Sequence, residues 1–158
     1  MNFLTEHGIS SYGELESKLT AVSARRDTAH AEIKRVESRS AELTLVMKHA
    51  GTYRQLKPLY DRYRKSNDKE KFLRGHESEI ILFEAAAREL KRLGAVPLPT
   101  TESMKTELAN LNAEKERLLA EYKAARTEAQ EYDTVKQNVD ALLTVPKEQE
   151  QQRRHELE

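Results

Sequence analysis

Between Gly51 and Arg74 the chain sets eight cations against three carboxylates. The cations are Arg54, Lys57, Arg62, Arg64, Lys65, Lys69, Lys71 and Arg74; the carboxylates are Asp61, Asp68 and Glu70. Tyr53, Tyr60, Tyr63 and Phe72 are interleaved with them. Lysine and arginine can neutralise a phosphate backbone, and flat rings can stack on bases. This stretch is therefore the candidate DNA contact, and binding through it must weaken steeply with salt. The competing reading is packing. Tyr60 and Phe72 recur at helical spacing and suit a small core beneath a solvated basic face.

Other chemistries find no support. The five histidines, His7, His30, His49, His76 and His155, are scattered, with no two at ligand spacing. A metal site needs three or four converging ligands, so none is assigned. No pair of glycines falls at the spacing of a phosphate-binding loop. No Ser/His/Asp or Cys/His set suggests a nucleophile. The remaining carboxylates read as solubilising faces of charged helices, Glu32 beside Arg35 being one example. The sequence assigns no catalytic, cofactor-binding or metal-binding residue, and the chain does not read as an enzyme.

The elements that position the basic stretch announce themselves through two heptad seams. The first runs Leu15, Leu19, Val22, Arg26, Ala29, Ile33, Val36, Ser40, Leu43, Met47, Ala50. The second runs Met104, Leu108, Leu111, Lys115, Leu118, Tyr122, Ala125, Ala129, Tyr132, Lys136, Val139, Leu143. Apolar residues at 4-3 spacing over this length specify long helices with narrow sticky stripes. Composition agrees, with 34% charged residues, no Cys, no Trp, and few Gly or Pro. Lys plus Arg equals Asp plus Glu at 27 each, so no whole-chain field draws it to DNA or lipid. Without Cys there is no disulfide framework or thiol chemistry, and the expected location is cytoplasmic. No apolar run approaches the roughly 20 residues of a membrane span. Residues 1–9 lack the basic start and apolar run of a signal peptide.

The expected fold is all-α: a long antiparallel coiled-coil hairpin with a small helical knob between its long helices. Residues 1–10 form an N-terminal lead. Coiled-coil helix one spans 11–50, opened by a Ser11/Glu14 capping box and stopped at Gly51. The knob covers 51–99. Its first helix, 52–65, is bent at Pro58; its second, 68–93, is broken near Gly75 and ended by Gly94. Ile80, Ile81, Phe83, Ala87, Leu90 and Leu93 give that second helix a wide apolar face. Val96-Pro97-Leu98-Pro99 is an extended connector. Coiled-coil helix two spans 100–145, capped by Thr100 or Thr101, and 146–158 is a disordered tail. Leu157-Glu158 reads as a cloning scar.

If the seams pair head to tail, facing residue numbers sum to about 154, the sum of the flanking Ala50 and Met104. Val22 then faces Tyr132, Ile33 faces Tyr122, Val36 faces Leu118, and Leu43 faces Leu111. Ser40 faces Lys115, leaving room for the lysine stem to snorkel outward. Arg26 faces Ala129 near Tyr132 and Glu128. Arg26, Ser40, Lys115 and Tyr132 are thus expected to set the register. A parallel dimer through each seam is the alternative.

Three stretches carry a family resemblance: TYRQLKPLYDRYRKSNDKEKF (Thr52–Phe72), HESEIILFEAAARELKRLG followed by VPLPT (His76–Thr100), and EYDTVKQNVDALL (Glu131–Leu143). With the first helix that holds Arg25-Arg26-Asp27, the chain resembles the C-terminal helical region of relaxases. These mobilisation nucleases serve conjugative and mobilisable elements of Gram-positive bacteria. The resemblance runs from about Tyr12 to Val145, and its most specific part is LKPLYDRYRK followed at distance by ILFEAAARELK. Relaxases nick one DNA strand with a catalytic tyrosine and a histidine-held metal in an N-terminal domain. This chain has no His-x-His triplet, so no catalytic role transfers to any of its residues.

The resemblance implies a non-catalytic fragment of a larger protein, or a stand-alone homologue of its tail. Three roles follow: an arm that positions relaxosome proteins or the coupling ATPase, a DNA-binding accessory domain acting through the basic knob, or a structural coiled coil that is a monomer or weak homodimer. The hairpin itself is testable. Val36→Cys with Leu118→Cys should crosslink within one chain on oxidation. Crosslinks found only between chains would defeat it.

Overall fold

The computed structural model describes the backbone of residues 11–156 and the side chains of residues 11–143. The lead 1–10, Leu157-Glu158 and the side chains of the tail lie outside this range. The described residues form three helices and no strand: α1, Tyr12–Lys65; α2, Lys69–Arg92; and α3, Thr101–Glu156. The fold is all-α, with two long helices and a shorter one between them.

Each start is fixed by a side-chain cap. Ser11 Oγ accepts from the Glu14 N–H at 3.2 Å, one half of the expected capping box. Asp68 Oδ1 accepts from the Lys71 N–H at 3.1 Å, and Thr100 Oγ1 from the Ser103 N–H at 3.1 Å. The end of α2 is a Schellman turn. Gly94 takes a φ of 70°, its N–H reaches the Lys91 carbonyl at 3.1 Å, and the Ala95 N–H reaches the Leu90 carbonyl at 2.9 Å. Leu90 and Ala95, the two positions such a turn brings into apolar contact, are both buried.

The helices run further than expected. α1 passes through Gly51 and Pro58 to Lys65 without a break. A mid-helix glycine costs only about 1 kcal/mol, and apolar residues to either side, from Ala50 to Leu59, are buried and hold the helix through it. Pro58 removes a single helix donor. α3 likewise continues past Pro146 to Glu156, where an irregular tail was expected. Glu, Gln and Arg are good helix formers and dominate that stretch. α2 does break, at His76, whose φ of −138° and ψ of 25° are non-helical.

The chain divides into two compact units. The first comprises residues 1–33 and 116–158. Leu15, Val22, Ala125, Ala129 and Tyr132 form its buried cluster, with Leu19, Val135 and Val139 packed against it. Tyr12 donates to Asp140 at 2.6 Å, Arg25 pairs with Glu128 at 3.6 Å, and the rings of His30 and Tyr122 lie 5.7 Å apart. Numbers rise on α1 as they fall on α3. A sum of 154 puts Tyr12 opposite 142, Arg25 opposite 129 and His30 opposite 124, so each partner lies one or two residues from its assigned position. The hydrogen bond to Asp140 raises the Tyr12 pKa above its usual range. Arg26 does not reach across to Glu128; it bonds its neighbour Asp27 at 3.1 Å, and Arg25, one position off the seam, takes Glu128.

The second unit comprises residues 34–115. Val36, Leu43, Val46, Ala50 and Leu59 are buried from α1, Ile80, Phe83, Ala86 and Leu90 from α2, and Met104 and Leu111 from α3. Ile81 is 54% exposed, so the apolar face of α2 is narrower than expected. On α1, Val46 is buried while the seam residue Met47 is only half-buried. A straight helix of 3.6 residues per turn drifts off a 3.5 repeat in this way. Ion pairs edge the core. Arg35 meets Glu114 at 2.8 Å, and the seam Lys115 reaches Glu37 at 3.2 Å. Arg39 grips both carboxylate oxygens of Glu107, at 2.7 and 3.1 Å, and also bonds Glu42.

The Arg39 fork pulls the Glu107 pKa below the ordinary carboxylate value. A carboxyl depressed on folding stabilises at pH above its unfolded pKa, and that contribution is lost as pH falls through the folded value. Glu107→Gln should therefore cost about 0.5–1 kcal/mol at pH 7. In urea titrations the gap from wild type should close as pH falls below the ordinary carboxylate range and through the depressed folded value. A gap that stays constant with pH would refute the linkage.

Candidate nucleic-acid interface

All eight candidate DNA contacts lie in the second unit, on the end of α1 and the start of α2. Helical spacing sorts the α1 residues into two faces. Arg54, Lys57, Asp61, Arg64 and Lys65 share one; Tyr53, Leu56, Tyr60 and Tyr63 share the other. The second group is half-buried throughout.

The aromatics stack on one another. The buried ring of Phe83 lies 4.7 Å from Tyr53 and 4.3 Å from Tyr60, both near parallel. Tyr60 continues to Tyr63 at 5.9 Å, Tyr63 to Phe72 at 6.0 Å, and Phe72 to His76 at 4.7 Å. Offset or tilted rings at these separations are favourable pairs. The packing reading of Tyr60 therefore holds. Phe72 packs too, but it also borders an open cleft.

The cations separate into two groups. Arg54 donates to the Thr101 hydroxyl at 2.9 Å and to the Pro99 carbonyl, tying the connector to α1. Lys57 bonds both oxygens of Asp61 at 3.2 Å, a one-turn pair on the same face. Arg62, Arg64, Lys65, Lys69, Lys71 and Arg74 are exposed, and their side chains make no ion pair or hydrogen bond among the described residues. Of the three carboxylates of this stretch, Asp61 is held by Lys57, Asp68 has one oxygen committed to its helix cap, and Glu70 is exposed. Cationic side chains without partners collect at the turn between α1 and α2.

Beside this turn is a cleft of about 270 Å³ lined by Ser66, Asp68, Lys71, Phe72, Gly75 and His76. The break at His76 interrupts the helix at the cleft wall. The His76 Nδ1 atom is shielded from solvent without a hydrogen bond, 3.5 Å from Glu79 Oε2. Sequence reasoning finds the cations by type but not the cleft. The only advance signals were Gly75, a weak point in the helix, and the one-turn spacing of Phe72 and His76. The Lys57–Asp61 pair was legible as an i,i+4 spacing; the capture of Arg54 by a residue 47 positions away was not.

Among the described residues no three histidines or carboxylates converge as a metal site. None of the described helices is long and apolar enough to cross a membrane. No protein family, curated protein or solved structure matches the chain.

Proposed function

We propose that this chain is a non-catalytic helical scaffold of a DNA relaxase. In this reading it works in the cytoplasm during conjugative mobilisation, holding DNA or relaxosome partners in place. The helices carry the turn between α1 and α2, and that turn provides the contact. Support comes from the sequence resemblance and from one structural observation: six exposed cations free of partners at a single turn. Surface lysines and arginines on charged helices can pair with carboxylates one turn away. Cations left unmatched favour an external anion, and a phosphate backbone offers a row of them.

Fluorescence anisotropy with labelled DNA across a salt series tests this reading. The plot of log affinity against log salt should be steep and negative. Each of Arg62→Ala, Arg64→Ala, Lys65→Ala and Lys69→Ala should reduce its slope by about 0.7–0.9. Lys57→Ala should leave the slope nearly unchanged, because Lys57 is already bound to Asp61. Affinity that is flat with salt, or an equal effect at Lys57, would refute contact through this surface.

A further inference from the structure

The cleft beside the cations has the chemistry of a nucleotide site rather than a phosphate site. We infer that it receives one unstacked base of a single DNA strand while the surrounding cations hold the flanking phosphates. The inference rests on the nucleic-acid reading above and deepens it. Three observations carry it.

The first is the division of charge. Asp68 lies in the cleft lining, and one of its oxygens is taken by the Lys71 N–H. A phosphate inside would meet this carboxylate, which offsets the pull of the one lysine in the lining, Lys71. The second oxygen suits a group that donates hydrogen bonds, as the amino and imino edges of a base do, and the Ser66 hydroxyl, which accepts from the Asp68 N–H at 3.3 Å, keeps one further lone pair. The partner-free cations are the other half. Lys71 belongs to the lining, and Lys65, Lys69 and Arg74 lie within four residues of lining residues in sequence. Acceptors and one cation in the lining, with further cations next to it in sequence, match a donor-bearing base attached to an anionic backbone.

The second observation is the wall. Phe72 and His76 both line the cleft, with ring centroids 4.7 Å apart. Phe72 is backed by Tyr63 at 6.0 Å, so its ring is held in place before anything binds. A base can contact such a surface whatever its sequence, because every base has a π-face.

The third is access. The wall of this cleft is ring surface, and a base inside a duplex has its faces already covered by its stacked neighbours. A duplex must first unstack and unpair a base to use it, whereas a single strand does so at little cost. The site should therefore prefer single strands, a distinction that cations alone would not make.

Gly75 allows a direct test. It lies on the cleft wall, and a Cβ added there meets nothing within 4 Å. Gly75→Trp should fill the cleft and spare the cations; Gly75→Ala should leave the cleft open. The full chain would be titrated with a labelled single strand and the matching duplex at about 50 mM salt, with helicity checked by circular dichroism. Wild type and Gly75→Ala should bind the single strand about tenfold more tightly than the duplex. Gly75→Trp should lower single-strand affinity to the duplex level and leave duplex affinity unchanged. Equal binding of both forms by wild type, or a preference that survives in helical Gly75→Trp, would overturn the base site and leave the cationic surface standing. If neither DNA form binds, both readings fail.

Discussion

A heptad stripe on a charged helix is too narrow to make a core by itself. This constraint governs the whole chain. In each unit most buried residues of α1 and α3 recur at seam positions, Val46 and Leu59 excepted, and the residues between them are half-buried or exposed. Hydrophobic stabilisation is thus spread as a thin line, and each large residue on it matters more than in a thick core. Val36, Leu43 and Met104 are almost wholly buried, and truncating any of them would leave a cavity with few neighbours able to collapse into it. The polar residues at the seam edge follow from the same geometry. Lys115 has its stem in the seam and its ammonium on Glu37, so a charge is accommodated without being buried.

The second unit departs from this plan because α2 adds a third apolar face. Ile80, Phe83, Ala86 and Leu90 thicken the core there, and the stacked rings of Tyr53, Phe83 and Tyr60 join α1 to α2. The Schellman turn at Gly94 and the grip of Arg54 on Pro99 and Thr101 then fix the connector leading into α3. With its aromatic face committed to packing, the end of α1 leaves the adjacent face to solvent. Its cations accumulate there, together with those of the first turns of α2.

Much of this was legible in the sequence, for a physical reason. Local signals with a single mechanism were reliable. Ser11 and Thr100, one of the two threonines offered, cap because their short oxygens reach a free N–H, and Gly94 ends α2 because it accepts a positive φ. The seams were legible because burial follows their period closely. Breakers were less informative. Gly51 and Pro58 each weaken a helix by a bounded amount, and the burial of Ala50 and Leu59 outweighs them. Exposure of Ile81 was not legible either, since a wide apolar face does not reveal how much of it a neighbour covers. Long-range pairs such as Arg39 with Glu107 depend on register, which a repeating pattern specifies only to within a turn or so.

The same reasoning decides how far composition can locate a binding surface. Eight cations in 21 residues look like one basic patch, yet two are spent on internal bonds. Both have a ready internal acceptor: Asp61 one turn along from Lys57, and the connector alongside Arg54. The remaining six form no such bond, although Asp61 stands one turn from Lys65 and Glu70 and Glu77 one turn from Arg74; Asp61 is held by Lys57 and Asp68 has one oxygen on its cap. A cation without an internal partner keeps its hydration and its full long-range field, and so contributes to steering and phosphate contact. A paired cation contributes little to either. The functional charge of this chain is therefore the uncompensated charge at one turn, which a net charge of zero over 158 residues conceals.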